Sequence, residues 1–271
     1  MSGFDPSSLA QELISAYANQ LTNVVPPSAR GGAFTLSDAY AVEAELVRRR
    51  LAHGHTPVGR KVGFANKAIW RVLKLDTLVW AHMYDDTVRY ADGNNTTLPI
   101  GRMTSPKIEP EIVFKMASAS AEDAPALEHV EWLALGFEII DCVYSDWKFQ
   151  PADFVAAFGL HAALVVGEPL RVEPSMVPAL ADELAQFKVK LLRNDQLVAE
   201  GSGRNSLKSP ALCLTELARA IGRQPGVTPL GAGELVSSGT LTESAIIAPG
   251  ERWTAVVDGL AVPTLTLTTE A

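Results

Sequence analysis

The chain has 271 residues, 47% of them hydrophobic and 20% charged, so it carries the apolar material for a large core and lacks the signature of disorder. A formal net charge of −8 argues against a nucleic-acid or acidic-membrane partner, both of which need a basic face. Two cysteines, Cys142 and Cys213, cannot build a disulfide framework; both sit in apolar runs and read as buried thiols of a reducing compartment.

The first basic residue is Arg30, which gives no charged start to a signal peptide, and the apolar stretches Trp132 to Ile140 and His161 to Gly167 fall far short of the ~20 residues of a bilayer span. The expected setting is the cytoplasm, with no membrane partner. Asp5-Pro6 is a helix-start signal, and Leu9, Leu13, Ile14, Tyr17 and Leu21 then recur at helical spacing. Val25 to Gly32 is a loop. A second helix starts at Ser37, with Tyr40, Ala44, Val47 and Leu51 as its apolar stripe and Glu45 four residues before Arg49. A short helix is expected over Lys67 to Leu73.

From about Val79 the texture turns to strands. Asp92 to Asn95 is a turn cluster, Lys107 to Met116 alternates cleanly, and Trp132 to Tyr144 is a longer β-like run. A short helix over Asp153 to Phe158 precedes a strand at His161 to Val166. Phe187 to Arg193, Asn194-Asp195 and Gln196 to Ala199 read as a hairpin, and Ser209 to Ile221 as a helix. Late strands are expected at Glu234 to Ser238, Arg252 to Val257 and Thr264 to Thr268. The five tryptophans read as packing residues. The fold class is α+β: a helical N-terminal portion, residues 1–78, laid on one mixed β core, residues 79–271, as a single structural unit.

The chemistry concentrates in two of these strands. In a strand, residues two apart share a face about 6.6 Å from each other, so Glu109 and Glu111 face one side while Ile108, Ile112 and Phe114 face the core. Paired carboxylates repel unless a cation lies between them or one is protonated. Glu138 is a third, set in an otherwise apolar run where an unpartnered charge would cost several kcal/mol. A hard dication, Mg²⁺ or Mn²⁺, would satisfy all three; an exposed edge-strand Glu-x-Glu and a salt-bridged Glu138 are the plainer readings. His161 reads either as a pocket group or as a hydrogen-bonded structural histidine. His53-Gly54-His55 and the Asp85-Asp86 turn are weak metal signals.

From about residue 36 onward the chain resembles the 2-keto-4-pentenoate hydratase / 4-oxalocrotonate decarboxylase family of the fumarylacetoacetate hydrolase superfamily. Gly59-Arg60-Lys61-Val62-Gly63 is similar to that family's Gly-x-Lys-Ile-Gly segment, Glu109-Pro110-Glu111-Ile112-Val113-Phe114 to its Glu-Pro-Glu strand, and Glu138-Ile139-Ile140-Asp141 to its Glu-Ile-Val-Asp. Ser238 to Thr242 and Pro249-Gly250-Glu251 resemble two late turns. The resemblance implies a mixed β-sheet/β-roll core of that superfamily's C-terminal type. It implies Mg²⁺ or Mn²⁺ on Glu109, Glu111 and Glu138, and a small 2-keto or 2-hydroxydienoic acid as substrate. Lys61 and Glu109 would be catalytic, and Lys61, Thr240, His161 and Phe158 would bind the substrate.

The implied activity is hydration of a 2-hydroxy-2,4-dienoate in aromatic-compound catabolism. Decarboxylation of a 2-oxo-3-enedioate, acylpyruvate C–C hydrolysis and a non-catalytic partner subunit are the alternatives. A homo-oligomer is also implied, with association with a related pathway enzyme as a further option. The chain departs from the family pattern where Phe64-Ala65-Asn66 replaces Leu-Thr-Ser and where Ala157, Phe158 and Leu160 replace Asp, Asn and Ser, a loss of polar groups around the pocket.

Overall fold

The structure, a computed structural model, describes residues 4–120 and 125–271. In chain order its helices are α1 (Pro6–Ala18), α2 (Leu36–Ala52), α3 (Lys67–Leu73), α4 (Pro151–Ala156), α5 (Val177–Gln186) and α6 (Pro210–Gly222). The strands are β1 (Pro57–Gly63), β2 (Val79–Tyr84), β3 (Val88–Tyr90), β4 (Asn95–Pro99), β5 (Lys107–Met116), β6 (Val130–Ile140) and β7 (His161–Val166), then β8 (Leu170–Arg171), β9 (Lys188–Arg193), β10 (Gln196–Ser202), β11 (Leu235–Ser237), β12 (Ala245–Ile246), β13 (Arg252–Asp258) and β14 (Leu265–Glu270). They form a nine-stranded sheet of order β2-β1-β11-β5-β6-β7-β3, with β12 added on β5 and β8 on β6, and a five-stranded sheet β10-β9-β13-β14-β4. This is the mixed α+β architecture expected. No helix among the described residues is long and apolar enough to cross a membrane.

Local chemistry sets the helix starts. The Asp5 carboxylate accepts from the N–H groups of Ser7 and Ser8, and Thr35 forms a reciprocal capping box with Asp38. Two details differ from the periodicity. Leu21 lies beyond the end of α1 and is exposed. In α2 the buried face is Ala39, Val42, Glu43 and Leu46, not the stripe of Tyr40, Ala44, Val47 and Leu51. Glu43 turns inward because its carboxylate meets His82 Nδ1 at 2.6 Å, so a charged residue belongs to the core side. The Glu45–Arg49 pair forms as expected, at 2.7 Å.

Strand β1 has no counterpart among the predicted elements. Pro57-Val58-Gly59-Arg60-Lys61-Val62-Gly63 carries two glycines, a proline and two cations, the composition of a loop. It becomes a strand because it pairs antiparallel with β2 and parallel with β11, which lies far along the chain. Pro110 interrupts the middle of β5, where proline is normally excluded for want of an N–H. Its carbonyl accepts from Leu241 N at 2.9 Å in a loop, because β11 has ended at Ser237, opposite Val113. No ladder bond is therefore lost there.

Candidate metal centre

The register of β5 on β6 brings the acidic residues together. Glu109 pairs with Glu138, and Glu111 with Gly136, so the three carboxylates stand on one face of the sheet. One carboxylate oxygen from each lies within 4.8 Å of the others. Opposite Glu111 only glycine fits, because a Cβ at Gly136 would sit 2.5 Å from Val113 Cγ2. Glu111 and Glu138 are buried and Glu109 is half-buried.

Glu111 Oε2 accepts from the Ser237 hydroxyl and, at 2.8 Å, from the N–H of Gly239, whose φ of +89° suits glycine. Glu138 is held from two sides. Lys61 Nζ lies 2.9 Å from Oε2, and His161 Nδ1 lies 3.0 Å from Oε1. The Thr87 hydroxyl gives its hydrogen to the Tyr84 carbonyl and so accepts from His161 Nε2 at 2.9 Å, which orients the ring. Lys61 approaches Oε2 as an ion pair outside hydrogen-bond angles, leaving that oxygen and Glu111 Oε1 as buried acceptors without a hydrogen bond.

Burial pushes the Glu109 carboxyl up to about 7; Lys61 opposes the rise and Glu138 adds to it. Burial, then the charges of Glu138 and Glu109, raise Glu111 well above the carboxylate range. Burial acts in the same direction on Glu138, but Lys61 and His161 together outweigh it and hold its carboxyl below the usual value. The three therefore differ sharply, and two favour a proton while the site is metal-free. Ionised together, the three carboxylates would exceed the one ammonium in charge, and without a cation that excess is relieved by protons on Glu109 and Glu111. Converging oxygens, with Glu111 Oε1 buried and unpartnered, are the donor set of a hard divalent cation.

A cavity of about 750 Å³ opens over this face. Lys61, Glu109, Glu111 and Thr240 line it, while Glu138 lies behind them. The Thr240 hydroxyl donates to the Thr242 carbonyl at 2.8 Å. Phe158 and His161 line a different, smaller cavity of about 200 Å³ with Tyr17 and Thr87; Phe158 packs edge-on against Tyr17, and the His161 side chain reaches the site only through Glu138. Trp147, expected as packing, lines the main cavity with Phe64, Phe149 and Phe154. The reading of the sequence missed Ser237 and Thr87. A serine pair before Gly239 was the available signal for the first; nothing local marks the second.

Among the described residues, twelve non-glycine residues have positive φ, and five of them line this cavity: Phe64, Trp147, Leu160, Leu207 and Lys208. Such strain is retained where the surrounding structure requires a side chain in place. The second histidine–acid group, His55 with Asp85 and Asp86, also converges, but Asp85 and Asp86 are exposed and Asp86 already pairs with Arg50. Cys142 and Cys213 are buried free thiols, and burial pushes them up to about 11 and about 12, so neither is a ready nucleophile.

The profile of the fumarylacetoacetate (FAA) hydrolase C-terminal family matches residues 67–267. A 2-hydroxyhexa-2,4-dienoate hydratase of Comamonas testosteroni is 28% identical over 83% of this chain and 84% of that one. A 4-oxalocrotonate decarboxylase of a Pseudomonas species is 26% identical over 80% and 81%. Among solved structures, the 4-oxalocrotonate decarboxylase of Pseudomonas putida G7, complexed with magnesium and adipate, superposes with a TM-score of 0.84 over 97% of both chains at 21% identity.

Proposed function

Since this chain belongs to the fumarylacetoacetate hydrolase C-terminal family, we propose that it is a divalent-metal-dependent lyase that hydrates a 2-hydroxy-2,4-dienoate in aromatic-compound catabolism. The observation that carries this reading is the convergence of Glu109, Glu111 and Glu138 under a cavity that Lys61 also lines. Those three carboxylates hold Mg²⁺ or Mn²⁺, and the bound ion supplies Lewis-acid polarisation of a 2-oxo acid.

The chain's own residues do the rest. Lys61, buried on β1 beside Glu138, offers the cation that a substrate carboxylate needs in so acidic a site, and it carries a proton on Nζ. Glu109, half-buried, lines the substrate side of the cavity beside Glu111, and as an ionised carboxylate it offers an oxygen that can accept a substrate proton there. The turn at Gly239–Thr240 holds Glu111 through the Gly239 N–H and presents Thr240 to the substrate. Lys61 comes from the portion over residues 1–78 and the carboxylates from 79–271, so the two portions work as one unit. In this reading the protein is cytoplasmic, in keeping with its two free buried thiols, and self-associates.

Decarboxylation of a 2-oxo-3-enedioate is the second reading. It is supported by the likeness of this chain to a 4-oxalocrotonate decarboxylase of a Pseudomonas species. One product assay on the Mg²⁺-loaded protein separates the readings. A 4-hydroxy-2-keto acid from a dienoate marks the hydratase, CO₂ from an enedioate the decarboxylase, and pyruvate plus a second acid from an acylpyruvate the hydrolase. Bound metal without any turnover marks a non-catalytic partner subunit.

A further inference from the structure

We propose that the preferred substrate is a 2-oxo acid ending in an apolar or aryl group, and that Phe64, Phe149 and Phe154 select that distal end. The proposal rests on the keto-acid reading above and specifies the part of the substrate that the carboxylates and Lys61 do not touch.

An aromatic wall runs outward from the polar end of the cavity. Lys61 Nζ lies 4.8 Å from the centroid of the Phe154 ring. Phe154 meets Phe64 edge-on at 5.3 Å and stacks with Phe149 at 6.4 Å, and Phe149 reaches Trp147 at 6.4 Å. All four rings line the same cavity, with Leu160 and Ile140 beside them. Mutual ring contacts of this kind hold a surface rigid and present apolar area to a ligand.

The backbone is shaped to keep these side chains in place. A Cβ at Gly63 would lie 2.4 Å from the Phe154 ring, so only glycine there lets the ring seat over Lys61. Phe64 and Leu160 occupy left-handed conformations, φ +59° and +55°, that bulky residues rarely adopt.

A second carboxylate on the substrate would have to be desolvated against these rings. The cations lining the cavity beyond Lys61, namely Lys67, Arg204 and Lys208, are exposed and share it with the exposed Glu243, so solvent and salt weaken their pull on an anion. A cavity of about 750 Å³ also falls within the size range of small-molecule pockets and leaves room beyond the metal-facing end for a distal group.

Binding of three acids to the full-length, Mg²⁺-loaded protein, followed by calorimetry, tests this: 2-oxo-4-phenylbutanoate, 2-oxobutanoate and 2-oxoadipate. The phenyl acid is expected to bind about tenfold or more tighter than either other acid, the low end of what one apolar group gains in a hydrophobic pocket. In Phe149→Ala that ratio should fall to about twofold or less, while Phe149→Leu should retain part of it; the leucine variant also serves if the alanine variant does not fold. Equal or tighter binding of 2-oxoadipate overturns the proposal in favour of the rim cations, and a ratio unmoved by both variants overturns the role of the wall. Failure of all three acids to bind overturns the keto-acid reading itself.

Discussion

Among the described residues, two groups of side chains, one of a histidine and two acids and one of three acids, bring three potential ligands within 4.8 Å of one another, and they differ in burial and in partners. Around His55, the carboxylates of Asp85 and Asp86 are exposed, and Arg50 supplies Asp86 with a counter-ion. Around Glu138, two of the carboxylates are buried and the third half-buried, two oxygens lack a hydrogen bond, and burial raises two of the three carboxyls out of their ordinary range. Proximity of ligands is common on a protein surface, where water solvates each charge. What creates a demand for a cation is negative charge held close together where water cannot reach it.

The most severe break in that contrast is Glu138→Gln. It removes the carboxylate that Lys61 and His161 hold ionised, and we expect a loss of turnover on the order of 10³-fold together with loss of stoichiometric Mg²⁺ binding, checked by calorimetry on a protein whose thermal melt shows it folded. A smaller effect is expected from His161→Gln, which leaves every proposed ligand in place but removes the ring fixed by Thr87. Metal affinity should weaken by about 10–100-fold, and Thr87→Val should move it in the same direction. Unchanged affinity in both variants would reduce His161 to a packing residue.

Protonation sharpens the contrast further. Without metal, Glu109 titrates at about 7, above the ordinary carboxylate value that it regains on unfolding, so the folded state holds a proton that the unfolded chain has released. This contribution to stability is fully present below the unfolded value and is lost as pH rises through about 7. Metal-free protein should therefore melt at a lower temperature at about pH 8 than at about pH 5, and Glu109→Gln should flatten that slope. Metal binding expels a proton from both Glu109 and Glu111, so affinity should fall by about a hundredfold per pH unit below 7, measured by Mg²⁺ titration in buffers of different pH. The smallest effect is reserved for the exposed group: Asp85→Asn should change turnover and Mg²⁺ affinity by less than about twofold and stability by no more than about 0.5 kcal/mol.

Several features were written locally in the chain and emerged as read. The cap at Asp5, the pair Glu45–Arg49 and the turn at Asn194-Asp195 depend on neighbours within four residues, and each forms. The common face of Glu109 and Glu111 is equally local, because the pleat of a strand repeats every two residues whatever it pairs with. The burial of α2 was not legible in this way. Its inward face is chosen by what lies opposite, and a histidine on β2 made a glutamate part of the core.

From the sequence by itself came the two-carboxylate strand, the oddity of a glutamate in an apolar run, and the ordered motifs that mark the family. Only the tertiary structure decided that Glu138 stands across from Glu109, that a loop-like segment becomes the strand presenting Lys61, and that His161 and Phe158 face a neighbouring cavity instead of the main one. The division follows from the forces involved. Backbone sterics and short-range hydrogen bonds act between residues close in the chain and leave a period that can be read, whereas strand register and burial are settled by partners on other elements, through hydrogen bonds and excluded water that no local pattern records.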